Sequence, residues 1–300
     1  MFQLIKDTNI DFVGKHRIAL IISGLVILAG LVSLVAHGGP RLSIDFEGGT
    51  LIEVRFNAPT NVESVRDQLS AVDYGEAVIQ QYGDSQEYII RVKTPTQEDE
   101  ELNTIFNSLN QVEGGNGFEV RRLETVGPKI GRELRADAIS AVLIAMIGIV
   151  IYVTIRFKFM YSIGALVALA HDVLITLGIF SLMDIEISLT VLAAFMFIVG
   201  YSLNDTIVVF DRVRENVKAK RHESFPEIVN LSLNSVLNRT VITSLTTLVV
   251  VLVLFFFGGE VIKPFAFALI VGLIVGTYSS IFVASPVVIA WDANTNQAKK

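Results

Sequence analysis

Six stretches of this 300-residue chain are long and apolar enough to cross a lipid bilayer, and they constrain its fold more than any other feature. About 20 apolar residues in an α-helix span a hydrocarbon core of about 30 Å. The stretches are Ile18–Pro40, Ala138–Ile155, Phe159–Met183, Ile187–Asn204, Thr240–Gly259 and Pro264–Trp291. Asp172 is the only Asp, Glu, Lys or Arg inside them. We therefore predict six transmembrane helices.

The composition agrees with a membrane protein and excludes several other classes. Hydrophobic residues make up 52% of the chain and charged residues only 18%, against a charged share of about 25% in an average soluble protein. The absence of cysteine excludes disulfide bonds, cysteine-ligated metal sites and a cysteine nucleophile.

Basic residues orient the six helices. They cluster before the first apolar stretch, between the second and third, after the fourth and at the C-terminus: Lys6, Lys15, Arg17, Arg156, Lys158, Arg212, Arg214, Lys218, Lys220, Arg221, Lys299 and Lys300. All these segments lie on one side of a six-helix arrangement, and the positive-inside rule makes that side cytoplasmic. The first stretch exceeds the roughly 7–15 apolar residues of a cleaved signal peptide, so we expect it to be retained.

These considerations divide the chain into segments. The predicted transmembrane helices are 18–37, 136–156, 160–182, 187–210, 237–258 and 264–290. Residues 1–17 and 291–300 form cytoplasmic ends, 38–135 an extracytoplasmic domain and 211–236 a cytoplasmic loop. The apolar residues of that loop suggest an amphipathic helix on the membrane surface, although docking of a cytoplasmic partner remains an alternative.

Residues 38–135 have the pattern of a soluble α+β domain. The predicted elements are a strand at Gly49–Phe56, a helix starting at Thr60 with Glu63 in capping-box spacing, a hairpin of Glu76–Tyr82 and Glu87–Lys93, a helix from Thr96 to Val112, and a strand at Phe118–Thr125. This βαββαβ order predicts a ferredoxin-like fold. The acidic run 98–101 indicates a solvated first helical turn rather than a cation site, and no spacing predicts a metal centre.

Two carboxylates lie inside predicted transmembrane helices, where an ionised side chain costs about 2.5–3.5 kcal/mol on insertion scales. Asp172 is near the middle of the third helix, and Asp205 is in the cytoplasmic half of the fourth. Arg239 begins the fifth helix at a depth comparable with that of Asp205. These three residues are therefore the candidates for proton coupling. The predicted supporting polar residues are Ser202, Asn204, Thr206, Asn238 and Thr243.

The pattern leaves two interpretations of Asp205 and Arg239 open. Ionised Asp205 pairs with Arg239 and releases it on protonation, or the two form a static bridge while Arg239 reaches the headgroups. Ser202 shares a helix face with Asp205 and is expected to be its hydroxyl neighbour. His171 lies about 100° around the helix from Asp172 and is expected to be an interior hydrogen-bonded residue that need not share its protons.

Two further patterns concern packing and energy. Gly272 and Gly276 form a G-x-x-x-G motif, which allows close helix packing but identifies no partner. The chain lacks a phosphate-binding loop and a dinucleotide-binding fingerprint, and Gly200-x-Ser202 lacks the closing glycine of a nucleophile elbow. We therefore expect no enzyme activity and no cofactor, with protons as the coupling ion.

An ordered set of motifs resembles the SecD/SecF family of bacterial protein-export membrane proteins, which are half-size relatives of the resistance-nodulation-division (RND) transporters. The motifs are IDFEGGT at 44–50, VGP at 126–128, GREL at 131–134, AHDV at 170–173, GYSLNDTIVVFDRVREN at 200–216 and NRT at 238–240. Each motif is weak alone, but their order along nearly the whole chain is specific.

The resemblance implies a partner and a function. It implies a SecD subunit that completes a twelve-helix complex, association with the SecYEG channel, and contact with unfolded preprotein in the periplasm after the SecA ATPase has acted. It also implies the bacterial inner membrane as location and the proton-motive force as energy source. The family's membrane charges correspond to Asp205 and Arg239, whereas the role of Asp172 is less clear.

Three other functions are alternatives to proton-driven protein translocation. A half-transporter of a small molecule or lipid fits six helices and intramembrane carboxylates, but a single domain at 38–135 leaves little room for a substrate pocket. An assembly factor with purely structural charges is the second alternative. An intramembrane hydrolase is the third, and it lacks a convincing nucleophile–base pair.

Overall fold

The computed structural model describes residues 8–81, 85–93, 99–112, 117–220, 222–259 and 261–297. It divides into a helical unit, Met1–Arg41 with Ala141–Lys300, and a sheet unit, Leu42–Ser140. The helices are α1 (Phe12–Ala36), α2 (Ile44–Glu47), α3 (Val62–Ser70), α4 (Asp99–Leu109), α5 (Pro128–Arg156), α6 (Phe159–Leu182), α7 (Leu189–Ala219), α8 (Phe225–Phe257), α9 (Lys263–Ser279) and α10 (Ser285–Gln297). The strands are β1 (Gly49–Phe56), β2 (Val78–Gln81), β3 (Glu87–Val92) and β4 (Phe118–Val126).

The sheet unit has the ferredoxin-like fold that the element order predicts. Its four strands are antiparallel in the order β2-β3-β1-β4. The inward-facing residues of central β1, Ile52, Val54 and Phe56, are at most 1% exposed because side chains alternate between the two faces of a strand. Leu69 of α3 and Ile105 of α4 complete this core and are fully buried. The predicted fold class is confirmed.

The start of α3 differs from the capping-box prediction. Helix α3 begins at Val62, and the side chain of Asn61 accepts a hydrogen bond from the Ser64 backbone N–H at 2.7 Å. Thr60 instead accepts at its carbonyl oxygen from the Tyr88 hydroxyl over 2.7 Å. Thr96, Glu98 and four of the basic residues, Lys6, Arg221, Lys299 and Lys300, lie outside the described residues.

The core of the sheet unit provides a stability prediction. Leu69→Ala removes a side chain that is 0% exposed, and such truncations cost about 2–5 kcal/mol because they leave a cavity. Leu123→Ala on β4 is the matched control, since Leu123 is 43% exposed. We expect hydrogen exchange of the β1 and β3 amides in the full chain to accelerate strongly only in the Leu69 variant. Equal acceleration in both variants would contradict this core.

Among the described residues, six helices have membrane-spanning length and hydropathy: α1, α5, α6, α7, α8 and the continuous Lys263–Thr295. A π-helical segment, Ser280–Ala284, joins α9 to α10 within the last of them. Helices α6, α7 and α9 supply the interior of the unit, whereas α5 and α8 are mostly exposed. Polar side chains on the three interior helices are therefore shielded by protein on several sides.

Helices α1 and α6 approach each other at backbone distance. A Cβ atom added to Gly30 would lie 2.6 Å from the Gly178 Cα atom, and one added to Gly178 would lie 2.8 Å from the Gly30 Cα atom. The hydroxyls of Ser33 and Ser181 form a 2.8 Å hydrogen bond one turn further along the same interface. Two glycines thus bring these helices close enough for short polar side chains to join them.

The predicted surface helix in the loop 211–236 is wrong as a separate element. Helix α7 continues to Ala219, and α8 begins at Phe225, where a capping box of Ser224 and Glu227 starts it. The residues that suggested a membrane-surface helix belong to α8, and Val229 and Leu233 are buried in the core of the helical unit. An amphipathic pattern indicates an apolar environment on one face, and here that environment is protein.

Candidate functional site

Asp172 is the most completely enclosed carboxylate of the helical unit. It lies in the second half of α6 and is 1% exposed. Its Oδ2 atom accepts hydrogen bonds from the hydroxyls of Ser202 on α7 at 2.5 Å and Ser279 on α9 at 2.8 Å. Its Oδ1 atom lies 2.9 Å from Nδ1 of His171. Among the described residues, no lysine or arginine forms an ion pair with it.

Asp205 is the second buried carboxylate and is 6% exposed on α7. Its Oδ1 atom accepts from the hydroxyl of Thr240 on α8 at 2.9 Å. Its Oδ2 atom accepts from the hydroxyl of Ser280 at 3.2 Å. Like Asp172, it therefore receives hydrogen bonds from hydroxyl groups of neighbouring helices.

Adjacent serines connect the two carboxylates. Ser279 donates to Asp172 and Ser280 donates to Asp205, so neighbouring residues of one helix reach acids on two different helices. Consecutive side chains diverge by about 100° around a helix, which allows this division. The π-helical segment starts at Ser280, and such segments occur frequently at functional sites. We call Asp172, Asp205, Ser279 and Ser280 the carboxylate network.

His171 extends this network to α1. Its Nε2 atom lies 2.9 Å from the Ser23 hydroxyl, which in turn lies 3.0 Å from the Tyr278 hydroxyl. Tyr278 donates to the backbone carbonyl of Ala19 over 2.6 Å, and its ring stacks on the His171 ring with centroids 5.9 Å apart. The expectation that His171 is an interior hydrogen-bonded residue agrees with this geometry. The view that it need not share protons with Asp172 does not, because the two side chains are in contact.

The predicted partner of Asp205 lies beside it and not in contact with it. Arg239 is exposed, and among the described residues no ion pair joins it to Asp205. It directly precedes Thr240, whose hydroxyl makes the contact with the acid. Neither the static bridge nor the ion pair that protonation would release is therefore formed in this structure.

The predicted supporting polar residues differ in their burial and in their hydrogen-bond partners. Ser202 is buried, and its hydroxyl donates to Asp172 and not to Asp205. The prediction that Ser202 is the hydroxyl neighbour of Asp205 is therefore wrong. Thr206 is also buried, Asn238 is half-buried and Asn204 is exposed. Thr243 is exposed, and its hydroxyl donates to carbonyl oxygens of its own helix, those of Arg239 and Thr240. A polar residue in a transmembrane sequence thus need not reach the site.

The G-x-x-x-G motif packs against α7 within this chain. A Cβ atom on Gly272 would overlap the side chain of Ile198, and one on Gly276 would lie 3.0 Å from the Ser202 Cβ atom. Gly276 therefore lets α9 approach the serine that donates to Asp172. The motif predicts close helix packing but does not identify the partner helix, and the structure shows that the partner is α7.

The hydroxyl groups of Ser279, Ser280, Thr240, Ser23 and Tyr278 were not predicted as site residues. The available signal was the polar run Tyr278-Ser279-Ser280 inside an apolar helix. A carboxylic acid buried without a directly bound cation can hold a proton, because burial disfavours its charge. No group of three or more potential metal ligands occurs among the described residues. The chemistry available to the network is proton uptake and release.

The contact between Thr240 and Asp205 gives a stability prediction. Thr240→Val keeps the shape but removes the donor to a buried acid, which costs about 1–3 kcal/mol. Thr243→Val, three residues along the same helix, is the matched control, because its hydroxyl bonds only to its own backbone. We expect only the Thr240 variant to lower the denaturation midpoint of the purified chain clearly. Similar losses in both variants would contradict the assigned contact.

Comparison with known proteins identifies the family. Residues 106–294 match the family described as "Protein export membrane protein SecD/SecF, C-terminal", and residues 33–60 match the "SecD/SecF GG Motif". The chain belongs to the SecD/SecF family. The first of these matched regions contains Asp172, Asp205 and Arg239.

Named relatives and solved structures agree with the family assignment. The chain is 49% identical to "Protein translocase subunit SecF" of Calditerrivibrio nitroreducens, with 95% of both chains covered. It is 44% identical to the protein of that name from Thermodesulfovibrio yellowstonii, over 98% of this chain and 99% of the other. The crystal structure of SecDF from Thermus thermophilus, a translocon-associated membrane protein, matches at 41% identity with a TM-score of 0.86. That match covers 96% of this chain but 39% of SecDF.

The comparisons confirm the predicted resemblance and the fold class. The chain is a multi-pass membrane protein of the SecD/SecF family, with six helices of membrane-spanning length and a ferredoxin-like unit. It corresponds to less than half of the SecDF chain. The names of its relatives favour protein translocation over export of a small molecule.

Proposed function

We propose that this SecD/SecF family member is an accessory subunit of a protein translocase and uses the proton-motive force to assist preprotein movement. The observation that carries the proposal is the carboxylate network: two buried acids on α6 and α7 that adjacent serines of the last transmembrane helix connect. Ionised side chains inside a bilayer are costly and are generally retained for function. Relatives named as protein translocase subunits support a preprotein as the transported molecule.

Protonation would change the forces between helices at this network. Ionised Asp205 accepts from Thr240 and Ser280 and attracts Arg239. Protonation removes that attraction and turns one acceptor oxygen into a donor, so α7, α8 and the π-helical segment must rearrange their hydrogen bonds. Asp172 undergoes the same change against Ser202 and Ser279. Movement of these helices would be passed along the chain to the sheet unit.

A partner would supply the other half of the assembly. The chain covers 39% of the Thermus SecDF chain, whose title describes a translocon-associated membrane protein. We infer a SecD-type subunit that completes a twelve-helix complex, which acts with the SecYEG channel on preprotein after the SecA step. No ATP site in this chain is required, since the membrane potential is worth about 2.3 kcal/mol per charge per 100 mV.

The basic residues give the orientation within this proposal. By the positive-inside rule they favour both termini in the cytoplasm and the sheet unit on the opposite, periplasmic side, and membership of the SecD/SecF family supports the bacterial inner membrane as the location. The sheet unit would then be the part that meets the emerging preprotein. No group of potential metal ligands occurs among its described residues, which suits binding or force transmission.

Depletion of the chain from its host tests the proposed function. We expect the part of preprotein export that a protonophore abolishes to disappear on depletion, while the SecA-driven part persists. Restoring the chain should restore the proton-dependent part. Loss of small-molecule efflux with unaffected protein secretion would overturn the proposal in favour of the half-transporter.

A further inference from the structure

Four hydrogen bonds lead from a backbone carbonyl of α1 to Asp172, and donor counting fixes their direction. The Ala19 carbonyl oxygen can only accept, so Tyr278 donates its single hydroxyl proton to it over 2.6 Å. The 3.0 Å bond between Ser23 and Tyr278 must therefore use the Ser23 proton. Since Ser23 has one proton, its oxygen accepts from His171 Nε2 over 2.9 Å.

The direction of these hydrogen bonds determines which ring nitrogen of His171 carries hydrogen. Its Nε2 atom carries hydrogen, so a neutral ring has only a lone pair at Nδ1. That atom lies 2.9 Å from Asp172 Oδ1, and an ionised carboxylate also offers only lone pairs. Two acceptors do not approach to this distance without a hydrogen between them. The contact requires one more proton than a neutral imidazole and a carboxylate together contain.

We propose that His171 and Asp172 share this proton, and that His171 is a third proton-exchanging group beside the two carboxylates. The proton belongs to the pair, either as neutral imidazole with carboxylic acid or as imidazolium with carboxylate. This inference rests on the proposed proton-coupled function and adds to it a histidine whose ring also contacts α1 and α9. His171 is 6% exposed and Asp172 1% exposed, so their contact is shielded from bulk solvent.

The groups around the pair are compatible with proton exchange. Helix α9 contributes Tyr278, stacked on the His171 ring, and α1 contributes only the Ser23 hydroxyl. Helix α7 presents Asp205, connected through the adjacent serines 279 and 280. Asp292 of α10 lies near Tyr161 at the other end of α6. No lysine or arginine among the described residues forms an ion pair with either member.

Loss of the shared proton has a mechanical consequence. The Nδ1 lone pair and the carboxylate then repel each other at 2.9 Å, so the two side chains must separate. Because Nε2 is bound to Ser23, the separation alters the contact between α6 and α1. Helix α1 precedes the sheet unit in the chain, which begins at Leu42. Proton release at His171 thus acts on the helix that leads directly into that unit.

Nitrogen NMR of the histidine ring tests the inference. The full chain is reconstituted in lipid bilayers with ring-labelled histidine; it contains four histidines, and loss of one signal in His171→Gln assigns the resonance. Across an acid-to-alkaline titration, we expect Nε2 of His171 to stay protonated and Nδ1 to change from the protonated to the unprotonated range. Asp172→Asn should abolish or displace that transition. His222→Gln, an exposed position, should leave it unchanged.

Two outcomes would overturn the shared proton. One is a neutral His171 with hydrogen on Nδ1 and none on Nε2, and the other is an Nδ1 transition that Asp172→Asn leaves unaltered. If His171→Gln does not fold, Ser23→Ala provides the second test, because it removes the acceptor that holds hydrogen on Nε2. Failure of the proposed function would be seen separately, as proton-driven export that persists without a functional Asp205.

Discussion

Asp205→Asn is expected to abolish the stimulation of preprotein export by a proton gradient. Asparagine has nearly the same size and still accepts a hydrogen bond, but it cannot take up or release a proton. The buried position should therefore remain filled, with export reduced to the level driven by ATP alone. Vesicles containing the chain, its SecD-type partner and the translocation channel would be assayed with and without an imposed gradient.

Asp211→Asn is the matched control for this variant. Asp211 lies six residues further along α7 and forms an ion pair with Arg156 at 3.5 Å, with both side chains close to half-exposed. Exposed pairs contribute about 0–1 kcal/mol, so gradient-driven export should remain at the wild-type level. Full stimulation in the Asp205 variant would contradict proton coupling at this residue. Equal loss in both variants would show a general sensitivity of α7 to lost charge.

Gly30→Ala is expected to separate α1 from α6 and to destabilise the helical unit. The new Cβ atom would lie 2.6 Å from the Gly178 Cα atom, and backbone cannot move aside as a flexible side chain can. Overpacking of this kind costs about 1–3 kcal/mol. The Ser33–Ser181 and Ser23–His171 hydrogen bonds lie on the same interface and should weaken with it. Denaturation of the purified chain, and disulfide cross-linking of cysteines introduced on α1 and α6, would measure both effects.

Gly24→Ala is the control on the same helix. Nothing lies within 4 Å of a Cβ atom at Gly24, so this substitution should leave the α1–α6 distance unchanged. Stability should stay level or rise slightly, because alanine favours a helix over glycine by up to about 1 kcal/mol. Identical behaviour of the two variants would be inconsistent with backbone contact at Gly30.

The architecture could be predicted from the sequence because its signals are local. An uninterrupted apolar stretch predicts a transmembrane helix wherever that helix packs, and alternation with turn residues predicts the strands of the sheet unit. The prediction of a membrane-surface helix in the loop 211–236 is wrong for a related reason. Amphipathicity shows that one face of a helix avoids water, but it does not distinguish a membrane surface from the protein interior that buries Val229 and Leu233.

The site could be predicted only in part. Asp172 and Asp205 stand out because ionised residues in apolar helices are rare and costly. The hydroxyls of Ser279 and Ser280 carry no such signal, since a serine in a transmembrane helix can bond to its own backbone, as exposed Thr243 does on α8. Ser202 is a second example. Its spacing from Asp205 predicts that the two residues share a helix face, but only the packing of α6 against α7 reveals that the Ser202 hydroxyl donates to Asp172.

Infrared spectroscopy of Asp205 in the assembled complex tests the central claim most directly. The carbonyl stretch of a neutral carboxylic acid is resolved from that of a carboxylate, and Asp205→Asn assigns the band. Proton coupling predicts a neutral-acid band that is present when the periplasmic side is acidic, fades as the gradient is removed, and is missing from the variant. A carboxylate at Asp205 that stays ionised under every imposed gradient would contradict the account.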